Sequence, residues 1–142
     1  MRRDEIRRVY VPMWYAGKHN RKALDALVGK GEVVIMAKKS FFADMMDEVV
    51  PAANDVRVAM RDYHYAHDVV ALTGDPIHTA LVVAEAFRRA PYYPDIPTFV
   101  TVAKYDRKFG EYYLAALPVL PIKLMVENRP YAPDDALMGS AR

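Results

Sequence analysis

The chain has 142 residues, of which 53% are hydrophobic and 27% charged, with a net charge of +2 and no cysteine. That length suits one domain burying about two thirds of the surface its unfolded form exposes, and the apolar fraction excludes a disordered or collagen-like chain. The missing cysteine excludes disulfides, thiolate metal sites and a cysteine nucleophile. No run reaches the roughly 18 apolar residues of a membrane span, and the charged start (Arg2, Arg3, Asp4, Glu5, Arg7, Arg8) is not followed by a signal-type apolar block. A soluble, cytoplasmic protein with no membrane partner is the expectation.

In chain order, Arg8 to Trp14 has strand composition, with Pro12 marking a strand end or an edge. Asn20 is placed to cap a helix over Arg21–Val28, whose Leu24, Leu27 and Val28 fall on one face and which Gly29 or Gly31 ends. Glu32 to Ala37 reads as a short strand covered on both faces. Ser40 offers a cap for a helix from Phe41 to about Val50, ended by Pro51. Residues 52–66 fit a strand, a loop or a helical turn equally, because Val56 to Met60 alternates without a clear boundary.

His67 to Thr73 is the third strand, and Pro76 to Arg89 the third helix, with Asp75 at its N-cap and Pro76 at the favoured first position. After Pro91, Pro94 and Pro97, Thr98 to Tyr105 and Glu111 to Leu117 flank a turn at Asp106 to Gly110, the pattern of a β-hairpin. Ile122 to Val126 could add an edge strand. Residues 129–142, with Pro130, Pro133 and Gly139, read as a mobile tail behind a single domain of residues 1–128. Alternating strands and helices imply parallel pairing through crossovers, hence a three-layer α/β domain with a mainly parallel sheet ending in an antiparallel hairpin.

Four short stretches carry a resemblance: Val9 to Val11, Gly31 to Val34, the Leu-x-Gly-Asp-Pro turn of Leu72 to Pro76, and Lys104 to Tyr113 with its Tyr-Asp-Arg and paired tyrosines. Together they make the chain similar to a loose group of small bacteriophage proteins of Rossmann-like build. The resemblance covers roughly residues 9–119 and transfers no catalytic residue. It implies a viral origin, a host-cell cytoplasmic location and an accessory or host-interaction role.

Three sets of residues are candidates for function. Thr73, Gly74 and Asp75 stand between a strand and a helix N-terminus, where backbone N–H groups can hold a phosphate or carboxylate. A cap by the Asp75 carboxylate would occupy those donors and repel an anion, and neither GxGxxG nor a P-loop is present. Asp62, His64, His67 and Asp68 contain the donor types of a metal or acid–base site, but their spacing fits no signature. An extended segment would put His64 and His67 on opposite faces, with His78 across the sheet. No metal site, cofactor or catalytic residue is assigned.

Tyr92, Tyr93, Tyr105, Arg107, Tyr112 and Tyr113 could pack across strands, form the rim of a protein interface, or stack on single-stranded nucleic acid. The favoured function is non-enzymatic association with a protein, either a host factor or a second copy. Alternatives are a nucleotide- or phosphate-binding enzyme or sensor using Thr73–Asp75, and nucleic-acid binding through the basic N-terminal third, where Arg2, Arg3, Arg7, Arg8, Lys18, Arg21, Lys22, Lys30, Lys38 and Lys39 lie.

Overall fold

A computed structural model describes residues 1–14, 20–37 and 47–121. After a 3-10 turn at Arg3–Glu5, the elements are β1 (Arg8–Val11), α1 (Arg21–Val28), β2 (Glu32–Ile35), α2 (Val49–Ala59), β3 (Asp68–Ala71), α3 (Pro76–Arg89), β4 (Phe99–Asp106) and β5 (Glu111–Pro118). They build one five-stranded sheet in the order β2-β1-β3-β4-β5, parallel except for the β4–β5 hairpin. The α/β class expected of the sequence is therefore the one observed.

Strand alternation sends side chains to two cores. Val9, Val11, Val69, Ala71, Ala103 and Tyr112 pack with Leu24 and Leu27 of α1 on one face. Tyr10, Val70, Val100 and Val102 pack with Val56 and Met60 beside α2 and with Val82 and Ala86 of α3 on the other. Each fully buried Val or Leu contributes roughly 1.5–3 kcal/mol. The chain reverses its direction across the sheet once, at β2, and changes face at the same point, so the three crossovers share one hand.

The helix ends follow local chemistry. The Asn20 side chain accepts from Ala23 N (3.0 Å), and Gly29 leaves α1 at φ +57. On α3, Glu85 is nearly buried yet satisfied by Arg88 (2.6 and 2.9 Å) and Arg89 (2.7 Å). Those guanidinium groups hold its carboxyl below the ordinary range. Arg89 also donates to the carbonyls of Arg57 (2.9 Å) and Arg61 (3.4 Å), tying α3 to the end of α2.

Two expectations are corrected. Pro51 does not end a helix: it is the third residue of α2, where the missing N–H would have lacked an internal partner anyway. Residues 52–59 are accordingly helical, with Val56 and the following Met60 buried at i, i+4 spacing. β2 is covered only in part on its two faces, with Val33 and Ile35 against one core and Val34 against the other, because it is an edge strand among the described residues, half-buried apart from an exposed Glu32. The strand expected at Ile122–Val126, the helix start at Phe41 and the tail at 129–142 lie outside the described residues.

Candidate functional site

The strand order changes direction between β1 and β3, so the C-terminal ends of these two strands flank the crevice where open α/β sheets bind ligands. Thr73, Gly74 and Asp75 leave β3 here, and the side chains of Thr73 and Asp75 are engaged within the protein. The Thr73 hydroxyl donates to the Met13 carbonyl (3.0 Å), while the Thr79 hydroxyl donates to the Thr73 carbonyl (3.3 Å). Asp75 Oδ1 accepts from the backbone N–H groups of Ile77 (2.6 Å) and His78 (3.3 Å).

Gly74 has φ +82, and a Cβ there would lie 2.6 Å from Met13 Cβ and 3.0 Å from Met13 O. The segment leaving β1 is thus seated directly on the segment leaving β3. An anion arriving at α3 would meet N–H groups already bound to a carboxylate. Burial pushes the His78 imidazole below its ordinary pKa, against the opposing pull of Asp75 at 3.8 Å. The geometry is that of a closed structural cap.

At the opposite end of β3 the polar groups are less completely matched. Asp68 is fully buried. Its Oδ2 accepts from His64 N (2.8 Å) and lies 3.8 Å from Arg8 Nη1, while Oδ1 has no hydrogen-bond partner. Burial raises the Asp68 carboxyl, outweighing the His64 N–H and the Arg8 charge. The Tyr63 hydroxyl is likewise buried without a partner, and burial with the Asp68 charge pushes its pKa up.

Outside this pair a cavity of about 290 Å³ is lined by residues including Arg8, Tyr10, Glu32, Arg61 and Asp62. Arg8 is committed within it, to Glu32 (3.6 Å) and the Asp62 carbonyl (3.2 Å) as well as Asp68. His64 and His67 are not on opposite faces as expected, because residues 65–67 form a turn and bring the two rings to 5.1 Å. His78 does lie at the other end of β3. Among the described residues no group of three or more His, Asp or Glu side chains could hold a metal ion.

The tyrosines do not form one platform. Tyr105 and Tyr112 pair edge-to-face at 5.4 Å on the α1 side of the hairpin. Tyr112 is 2% exposed, and its side chain belongs to the core. Tyr113 projects to the other face opposite Lys104, and Arg107 occupies the hairpin turn. Tyr92 and Tyr93 lie exposed in the approach to β4 with Ile96 and Phe99, near the end of β5 that carries Leu120. Thr98 secures that approach, its hydroxyl donating to the Pro91 carbonyl (2.5 Å).

Beside these side chains lies a feature the sequence reading passed over: among the described residues β5 is the outer strand, eight residues long, without a charge from Tyr112 to Leu120. The other edge, β2, is four residues long and begins with the ion-paired Glu32. The apolar run in Glu111 to Leu117 behind the hairpin turn marked a strand but not whether it was central or outermost. The Arg8–Asp68 pair was missed as well, although an acid heading the apolar run Val69 to Ala71 was a usable signal.

Comparison with protein-family models, with curated proteins and with solved structures gives no match to the chain. Among the described residues no helix is long and apolar enough to cross a membrane.

Proposed function

We propose that the protein is a non-enzymatic binding protein, an accessory factor of phage type, that associates with another polypeptide along the β4–β5 side of its sheet. The observation that carries this reading is the eight-residue strand β5, uncharged after Glu111 and outermost among the described residues, with Tyr92, Tyr93, Ile96, Phe99, Tyr113 and Leu120 exposed around the hairpin. Sheet proteins ordinarily blunt such an edge by shortness, charge or a bulge, because its row of N–H and C=O groups templates pairing with another chain. Tyrosine beside apolar area is also the composition of interface cores.

The small-ligand reading of Thr73–Asp75 has against it the internal use of the α3 donors. The nucleic-acid reading has against it the engagement of Arg2, Arg8 and Arg21 with acids and of Arg3 with the Tyr112 carbonyl. Light scattering after size exclusion tests the proposal. The expected result is a mass that rises above 16.2 kDa with concentration, insensitive to salt and reduced by Ile96→Asp with Leu120→Asp. A fixed monomer that retains no polypeptide, or whose Tm rises with nucleotide or phosphate unless Asp75 is replaced by Ala, would overturn it.

A further inference from the structure

Resting on that reading, we infer that the partner on β5 is a second copy of this chain, paired antiparallel about a two-fold axis at Ala115. The pairing with β4 fixes which backbone groups of β5 face outward. Val119 N donates to Thr98 O (3.0 Å), and the register continues through Phe99↔Pro118 to Asp106↔Glu111. In an antiparallel ladder directly opposed residues alternate between bonded and non-bonded pairs. Glu111, Tyr113, Ala115 and Leu117 therefore turn their N–H and C=O groups toward β4, while Tyr112, Leu114, Ala116 and Pro118 turn theirs away from the sheet.

This outward row has two exceptions. Pro118 has no N–H to donate. The Tyr112 carbonyl is already taken, by the Arg3 guanidinium. What remains is three donors (the N–H groups of Tyr112, Leu114 and Ala116) and three acceptors (the carbonyls of Leu114, Ala116 and Pro118). No strand among the described residues pairs with them.

Two copies can pair antiparallel only in registers that set outward residues opposite outward residues. Among these, an axis at Ala115 alone places Tyr112 opposite Pro118 of the second copy. The carbonyl that Arg3 has consumed then faces the nitrogen that has no hydrogen. Leu114 and Ala116 exchange both bonds with Ala116 and Leu114 of the second copy, and each Tyr112 N–H reaches the other copy's Pro118 carbonyl. Every remaining donor meets an acceptor across the axis.

The side chains agree with this register. Ala115 meets its own copy where the strands come closest, Tyr113 meets Leu117, and no like charges oppose along Tyr112 to Pro118. An isologous contact of this kind closes as a dimer and leaves the short, charged β2 edges outermost.

The absence of cysteine makes single-cysteine variants a direct test. In a non-bonded antiparallel pair the Cα atoms stand about 4.5 Å apart, within disulfide range, whereas residues two positions off the axis are several residues out of register. Ala115→Cys is expected to oxidise to a covalent dimer and Tyr113→Cys to remain monomeric on a denaturing gel. In the untreated protein the amides of Tyr112, Leu114 and Ala116 should exchange more slowly as concentration rises. Ala116→Pro, which removes an outward N–H and no bond to β4, should keep the fold and raise the dimer dissociation constant at least tenfold.

Association in which the Tyr113→Cys variant cross-links and the Ala115→Cys variant does not, or which Ala116→Pro leaves unchanged, would overturn this register while leaving the binding function standing. A monomer in which those amides are nevertheless protected would overturn the two-fold contact, since the chain would be covering its own edge. A monomer in which they exchange freely, and which retains no polypeptide, would overturn both.

Discussion

The two ends of β3 differ in how completely their polar groups are matched. At the C-terminal end, Thr73 and Asp75 each find partners, and Gly74 lets Met13 sit against the turn. At the N-terminal end, Asp68 is buried with one oxygen unpartnered and Tyr63 with its hydroxyl unpartnered. A strand only four residues long joins them. The better-matched end is a joint of the fold, where substitution costs stability. The mismatched end holds a charge the interior tolerates poorly, where removing that charge should cost little.

The largest effect is expected at Gly74. Alanine there combines a left-handed φ with a Cβ inside van der Waals contact of the Met13 backbone, so neither a rotamer change nor a small shift of a flexible group relieves it. A loss of about 3 kcal/mol is expected by chemical denaturation. A loss below about 1 kcal/mol would show that the β1 and β3 exits are not packed as described. Thr73→Val comes next: it preserves shape but removes the hydroxyl that donates to the Met13 carbonyl, for an expected loss of about 1.5 kcal/mol.

Asp75→Ala should cost about 1 kcal/mol through the lost cap of α3. It should also change the response to acid. Burial lowers the His78 pKa from 6.5, so as pH falls below 6.5 the unfolded chain takes up the proton first and stability declines. Asp75 opposes that shift, and without its carboxylate the decline should run to lower pH. An unaltered pH profile would mean that His78 does not sense Asp75.

How legible these features were depended on how local they are. The Asn20 and Asp75 caps and the extents of α1 and α3 could be read directly, because an N-cap and the apolar spacing behind it belong to one short stretch. Pro51 misled because a proline serves a first helical turn as well as it ends a last one, and only the packing of Val56 and Met60 distinguishes the two. The edge positions of β2 and β5 depend on strand order, a property of the whole chain. The fate of Asp68 depends on Arg8 and Tyr63, which reach it from other segments.

The smallest change in stability, and the sharpest contrast with the cap, is expected of Asp68→Asn. The amide oxygen can keep the bond from His64 N, and the NH₂ group takes the place of the unpartnered oxygen. Because burial raises the carboxyl pKa above 3.8, folding favours its neutral form. Below pH 3.8 the acid is neutral in both states and the variant should match the parent. As pH rises from there through the raised value, the unfolded chain ionises freely and the folded one reluctantly, so the parent loses stability that the variant keeps. The gap should therefore open in the variant's favour and level off at neutral pH, staying within about 1 kcal/mol because the contact with Arg8 is lost as well. Glu85 and His78 impose the opposite slope on both proteins, so it cancels in the difference. A variant less stable than the parent at neutral pH, with a gap that widens as pH rises, would show that Arg8 more than repays the burial of Asp68, and the two ends of β3 would then be equally well matched.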